Sequence, residues 1–314
     1  MDINIKDRRI LCVLDANSRI TNSQLAKEVK LNQNTTAYRL KFLEKEKYIL
    51  GYYALIDNSK LGLIGFRVYF KFMDTDEKKE KEMIGHLYEL SEIQIIAIND
   101  GVYDAGFICW VKNIYIFEGI WSTFKQKYKK YIGKHQIAIF TKIHHFSREY
   151  LMGERKNYSD MVVGGSSIET IDKVDEDILK ILSNNARETI ITISKKLNIS
   201  VRTIAFRIKR LEKRKIILGY KVNLNLEKLG YKYYKVNFIL NELSNIQNLI
   251  EFSRQNKYVT YVDVTISPND FEFDLEVPSR QEFLDIISKF KEKFRNIRKF
   301  EEFTIRRYER LRYF

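Results

Sequence analysis

The sequence predicts an α+β fold in which one unit, three short helices and an extended segment followed by a βαββαβ module, occurs twice in series. Three observations lead there. Adding 168 to a residue number aligns residues 7–62 with residues 175–230 without gaps, and 23 of those 56 positions are identical. A match on that scale is a duplicated domain and not a solenoid repeat. Apolar residues at helical spacing open each copy, and further along each copy the pattern turns to strict alternation and back.

The second copy is the easier to read. Ile171, Ile178, Leu179 and Leu182 recur at helical spacing behind Asp172, an N-cap. A second helix over residues 190–197 is opened by Thr189. A third begins after Ser200, whose side chain can accept from the free amides of the first turn, and it turns Ile204, Ile208 and Leu211 inward. The segment IILGYKVNL (216–224) alternates, with Gly219 placed for a tight turn, so a hairpin is expected. Three helices and a hairpin make a winged helix-turn-helix. In the first copy Thr21 and Gln24 have capping-box spacing and Asn32 caps the third helix.

The rest of each unit reads strand, helix, strand, strand, helix, strand: in the first copy 65–73, 76–92, 93–98, 103–111, 114–128 and 135–146. This is a ferredoxin-like βαββαβ order, and the second copy repeats it. The expected division is a winged helix-turn-helix over 1–56, a βαββαβ domain over 57–148, a linker over 149–170 with a GGSS core, a second winged helix-turn-helix over 171–224 and a second βαββαβ domain over 225–314.

A helix N-terminus offers free amides and the positive end of the helix dipole to a phosphate or a base edge. In a helix-turn-helix the third helix enters the major groove by that end. The residues there are Gln33, Asn34 and Thr35 in one copy and Val201, Arg202 and Thr203 in the other. Arg reads guanine, whereas Gln and Asn read adenine. Arg39 and Lys41 follow in the first copy, Arg207, Lys209 and Arg210 in the second. The second reader is the more basic and is expected to dominate phosphate affinity. Double-stranded DNA is therefore the expected partner, and the net charge of +14 agrees.

Other chemistries find little support. Cys12 and Cys109 are far apart, and His144 and His145, adjacent on a strand, point to opposite faces, so no metal or other cofactor is expected. No phosphate-binding glycine loop and no catalytic triad order is present, so no enzyme is expected. No apolar run approaches the ~18 residues of a membrane span, and the opening MDINIKDRR leads into no signal segment, so the cytoplasm is the expected location.

The motifs D-x-x-I-L-x-x-L-x-x-N-A-R at 175–187, S-x-x-T-x-x-x-R-I-x-x-L-E at 200–212 and I-L-G-Y at 217–220 resemble those of the Lrp/AsnC family of transcription regulators, and the first copy matches more loosely. The resemblance covers nearly the whole chain as two family units in series. It implies transcription regulation, self-association through the βαββαβ domains and a small effector such as an amino acid. It also implies an effector loop of the form G-x-Y-D before the third strand, here Gly101, Tyr103 and Asp104; the second copy keeps only Asp270. An ordinary turn closed by Asp reads equally well.

The third strands differ. On the face away from the core the second copy carries Glu272, Asp274 and Glu276, where the first has Gly106, Ile108 and Trp110. The acidic row can pair with Lys235 or Arg306, or face solvent. The apolar row implies a second buried surface and pairing of the two units. Two alternatives stand beside a DNA-binding regulator. One is a sirohaem-decarboxylase-like tetrapyrrole enzyme, disfavoured because all four histidines fall in the first copy. The other is a metabolite-sensing scaffold without DNA binding.

Overall fold

The computed structural model describes residues 3–152, 160–165, 167–244 and 246–314. Helices α1 (Ile5–Ala16), α2 (Asn22–Glu28) and α3 (Gln33–Lys45) open the first copy, and strand β1 (Ile49–Ile56) follows. The second copy gives α6 (Lys173–Asn184), α7 (Ile190–Leu197), α8 (Val201–Lys213) and β7 (Ile217–Leu224). The expected caps are in place. Thr21 accepts from the Gln24 amide within a capping box, Asn32 from Thr35, Asp172 from Asp175, Thr189 from Thr192 and Ser200 from Thr203. Each satisfies one amide that the helix leaves unpaired.

The expected hairpin at Gly219 does not form. β7 runs straight through that glycine and pairs antiparallel with β1, from Ile49 opposite Leu224 to Ile56 opposite Ile217. Each copy therefore supplies one strand of a shared wing. The physical reason is that an alternating strand leaves its backbone amides and carbonyls open on both sides, and the other copy's equivalent strand meets them without any turn. The pairing is close to two-fold. Ser18 N–H donates to the Tyr220 carbonyl at 2.9 Å, and Ala186 N–H to the Tyr52 carbonyl at 3.0 Å. Arg187 donates to the Ser18 carbonyl at 2.8 Å, while Arg19 reaches the carbonyls of Ala186 and Glu188. Ile10, Leu14, Leu43, Ile178, Leu182 and Leu211 belong to one core common to both copies.

The first βαββαβ module comprises β2 (Ile64–Phe72), α4 (Glu77–Glu89), β3 (Ile93–Gly101), β4 (Ala105–Val111), α5 (Ile114–Tyr128) and β5 (Ile132–His145). After β6 (Met161–Gly164), the second comprises β8 (Lys232–Leu240), α9 (Ile246–Gln255), β9 (Val259–Ile266), β10 (Phe271–Val277), α10 (Arg280–Lys293) and β11 (Ile297–Leu311). The long fourth strands join the two sheets. β5 pairs with β2 and then with β9, and β11 with β8 and then with β3. The ring β2-β4-β3-β11-β8-β10-β9-β5 closes on β2, so these eight strands form a barrel. The helices lie outside it, α4 and α5 over Phe66, Val68 and Phe107, α9 and α10 over Val236, Phe238 and Phe273.

Alternation then sends the other residue of each pair to the barrel interior. This decides the open question of the acidic row: Glu272, Asp274 and Glu276 are buried. Lys235 meets Asp274 at 2.8 Å and Asp263 at 2.5 Å, whereas Arg306 lies 3.6 Å from Asp100. Arg67 of the first copy pairs with Glu272 and with Asp263 (2.6 Å) of the second.

The segment expected as a linker is built into the fold where it is described. Met161–Gly164 pairs with β5, and Val163 packs with Tyr53 and Leu55 of the wing. The glycines that made 149–170 read as a linker serve this edge: Gly164, with φ +102°, brings its backbone against the Thr141 carbonyl. Residues 153–159 and 166 lie outside the described residues. Just before them, Arg148 ties helix to barrel, donating to Asp15 of α1 at 2.7 Å and to Glu276 of β10 at 2.8 Å. Breaking a buried pair by removing one partner costs about 3–5 kcal/mol. Arg148→Ala should lower urea-unfolding stability by that amount, while Lys81→Ala, at a fully solvated pair with Glu77, should leave it nearly unchanged.

Candidate functional site

The third helices α3 and α8 begin in exposed, capped turns. Asn32 Oδ1 accepts from the Thr35 amide at 2.7 Å and Ser200 Oγ from the Thr203 amide at 3.1 Å. The amides of Gln33, Asn34, Val201 and Arg202 precede the capped ones, and all four residues are exposed. Thr203 is exposed and Thr35 half-buried. The expected reading residues thus stand together at the start of each helix.

The arginines expected to follow them are engaged. Arg39 donates to both oxygens of Asp7 at 3.0 and 3.1 Å. Its counterpart Arg207 donates to Asp172 at 2.7 Å and to Asp175 at 2.9 Å, and Arg210 to Asp175 at 2.5 Å. Arg214 pairs with Glu169 at 2.7 Å. These guanidinium groups hold the third helix against the first. The expected basic excess of the second reader is correspondingly reduced. What remains exposed is matched between copies: Lys41, Lys45 and Lys47 against Lys209, Lys213 and Lys215. The chief charge difference near the reading ends is Arg202 in place of Asn34.

Sequence reasoning missed one pair. Tyr38 and Phe206 occupy equivalent positions one turn into α3 and α8, and they are 67% and 64% exposed. A large ring that far out of the core is legible from the helical period, since both positions lie off the apolar stripe. Apolar side chains on such a helix can meet a thymine methyl.

The G-x-Y-D residues form a turn. Gly101 has φ +134°, and a Cβ there would meet Phe303 at 3.0 Å. Tyr103 is buried, donates to Gln136 Oε1 at 2.7 Å and packs on Tyr69 and Phe303. Asp104 accepts from the Phe72 amide at 2.8 Å and from Lys71 at 3.2 Å. Asp270 does the same for the Leu240 amide at 2.7 Å. Both carboxylates close strand ends. Beside the first turn lies an open cleft lined by Asp100, Asp104, Glu77, Glu80, Arg306 and Arg307.

A second cavity, of about 230 Å³, lies between the barrel and the wing. His145 lines it. Burial first, then Lys221 and Arg148, lower the His145 pKa from 6.5 to about 3, so the ring is neutral in the fold. Among the described residues no cluster of three or more His, Cys, Asp or Glu can hold a metal ion, and no helix is long and apolar enough to cross a membrane.

A winged helix-turn-helix DNA-binding family matches residues 3–49 and again residues 171–217. An uncharacterized HTH-type transcriptional regulator of Pyrococcus furiosus is 41% identical over 96 residues, 30% of this chain and 65% of the relative. Another, of Pyrococcus abyssi, is 31% identical over 127 residues, 40% of this chain and 86% of the relative. The chain thus spans just under two thirds of the first relative's length. In fold it is similar to the crystal structure of the siroheme decarboxylase NirDL, with a TM-score of 0.65 at 11% identity, covering 98% of this chain and 92% of that one.

Two outcomes are expected. Asp175→Asn should lower unfolding stability by about 1–3 kcal/mol, because Arg207 and Arg210 lose a shared carboxylate and an amide offers a single uncharged acceptor oxygen; Asp177→Asn, at a solvated pair with Lys173, should leave it nearly unchanged. The His145 contribution carries a definite sign. The unfolded chain takes up a proton near pH 6.5 that the folded chain refuses until about pH 3. Stability from this group is therefore present above pH 6.5 and is lost as pH falls from 6.5 toward 3. His145→Gln should flatten the pH dependence of urea unfolding across that window by up to about 1.4 kcal/mol per pH unit, the value for one proton.

Proposed function

Because the chain belongs to the HTH-type transcriptional regulators, we propose that it is a sequence-specific DNA-binding regulator of the Lrp/AsnC type. Its two unlike reading helices address one asymmetric site. The observation that carries the reading is the pair of exposed, capped third-helix starts, each followed by three exposed lysines along and just past the helix, and related by the near two-fold of the shared wing. The symmetry of a recognised site mirrors that of the protein, and here Gln33 and Asn34 in one head face Val201 and Arg202 in the other. An adenine-rich half-site and a guanine-bearing half-site fit these heads.

The reading includes four further parts. The βαββαβ halves, 57–148 and 225–314, are ferredoxin-like, supported by the strand orders β5-β2-β4-β3 and β11-β8-β10-β9. An amino-acid effector belongs to the cleft beside Gly101, Tyr103 and Asp104, where carboxylates and Arg306 and Arg307 face both ends of a zwitterion. The pairing of βαββαβ domains that the resemblance implies occurs within one chain, and the work is done where the DNA is, in the cytoplasm.

A second reading, a sirohaem-decarboxylase-like enzyme, draws on the likeness of fold along the whole chain and on a cavity holding His145, Arg67 and Arg148. Both arginines are consumed in ion pairs, and about 230 Å³ is less than the ~300–1,000 Å³ of an ordinary drug-sized site. A Soret band in the purified protein would favour this second reading.

Selection of bound DNA from a random pool tests the regulator reading. An asymmetric consensus is expected, and no salt-sensitive preference for any duplex would overturn it. On that consensus, Arg202→Ala with Lys209→Ala should weaken binding and make the salt slope shallower by about one to two units. Phe206→Ala should leave the slope unchanged and weaken the preference for thymine at one position.

A further inference from the structure

The cavity between barrel and wing is built from both copies. β1 contributes Leu55 and Ile56, and β7 contributes Leu224. The barrel contributes Ala97, Ile108, Trp110 and Ile305 on one side and Tyr233, Tyr261, Asp274 and Glu276 on the other. Its walls are mainly apolar and aromatic: Tyr69, Tyr308, Tyr313 and Phe140 also line it, and Trp110 stacks with Phe140 at 6.1 Å.

The charges around it do not cancel. Among the described residues the interior ion pairs fall into two sets: Arg67 and Lys235 with Asp263, Glu272 and Asp274, two cations against three carboxylates, and Arg148 and Lys221 with Asp15 and Glu276, two against two. Four cations meet five carboxylates. His145 adds no charge, and Arg312, also on the lining, is exposed to solvent. Arg67 is taken by Asp263 and Glu272, and Arg148 by Glu276 and Asp15. Among the described residues the cation paired with Asp274 is Lys235, which also meets Asp263 and Glu272, and the Tyr233 hydroxyl donates to the second oxygen of Asp274. It is 7% exposed and faces the cavity.

We propose that this cavity binds a small organic cation, a primary or substituted amine on a single apolar or aromatic ring, with its ammonium at Asp274. A buried surplus carboxylate is costly, and one positive charge brought in on the ligand removes that cost. Aromatic faces accept a cation within ~6 Å, and apolar walls take the ring. Burial raises the Asp274 pKa to about 6 against the pull of Lys235, which agrees with its being the least compensated acid of the set. A ligand there touches the wing through Leu55 and Leu224 and the barrel through Ile108 and Tyr261.

The test uses the full chain and three probes of one shape: 4-phenylbutylamine, 4-phenylbutanol and 4-phenylbutyrate. The readouts are the thermal midpoint and tryptophan fluorescence, since Trp110 lines the cavity. The amine is expected to raise the midpoint, quench the fluorescence and bind at least tenfold more tightly than the alcohol. The butyrate should give no response. Ile108→Phe, which fills the space, should lose the amine response, and Asp274→Asn should bring amine and alcohol to equal affinity. Equal binding of amine and alcohol to the unaltered chain, preference for the butyrate, or silence with all three overturns the proposal. An amine response that survives both substitutions also overturns it. No DNA enters the test, so its failure and that of the regulator reading are distinguishable.

Discussion

Arg67 and Lys235 occupy matching points of the duplication, on the first strands of the two βαββαβ modules, and both are buried inside the barrel. An unpaired buried cation is costly enough to open the structure, so everything around these two must supply carboxylate. The supply comes from the second copy alone: Asp263 from β9, Glu272 and Asp274 from β10. Burial works to raise the Glu272 pKa, but Arg67 and Lys235 outweigh it and hold that carboxyl down to about 2. The first copy places Gly106, Ile108 and Trp110 at the aligned positions. Two first copies set face to face would bury two Arg67 side chains with no carboxylate from those third-strand positions. The halves have diverged into complements, and the barrel closes with one of each.

The same division of labour runs through the helical end. Neither copy owns a wing, because β1 and β7 are each other's partner, and one apolar core runs under both sets of helices. The reading ends of α3 and α8 are therefore fixed relative to one another by backbone hydrogen bonds and not by a hinge. Arg148, reaching Asp15 of the helical part and Glu276 of the barrel, joins the two ends of the molecule. The cavity sits at that junction, walled by wing and barrel together.

Much of this was legible in the sequence. The 168-residue offset placed each helix of one copy from the other, and Thr21, Asn32, Thr189 and Ser200 cap where their spacing said they would. The alternation of 65–73 marked a strand, and on 103–111 the apolar row ending in Trp110, on the face away from the core, announced a second buried surface. The failures share one cause. Gly219 advertises conformational freedom, while the strand that holds it extended lies 168 residues away along the chain and leaves no local mark. Arg39, Arg207 and Arg210 look like a basic face until the fold brings Asp7 and Asp175 from another helix against them. Tyr103 and Asp104 also hold their turn together, through Gln136 and the Phe72 amide, and neither partner is announced by the local sequence. Local propensity is written residue by residue, whereas a partner is a property of the whole chain.

The shared wing also sets the order in which the molecule can be finished. β1 ends at Ile56, but its partner strand is not complete until Leu224. β3 waits still longer for β11, whose paired residues run from Phe303 to Leu311. While the chain is being made, the first copy therefore stands with open strand edges and a cation awaiting its acids. Such edges invite pairing with any neighbouring strand. Contacts this distant along the chain also slow closure. A newly made first half is thus a natural client for a chaperone, and two nascent chains on one message risk exchanging wings with each other before either has made its own.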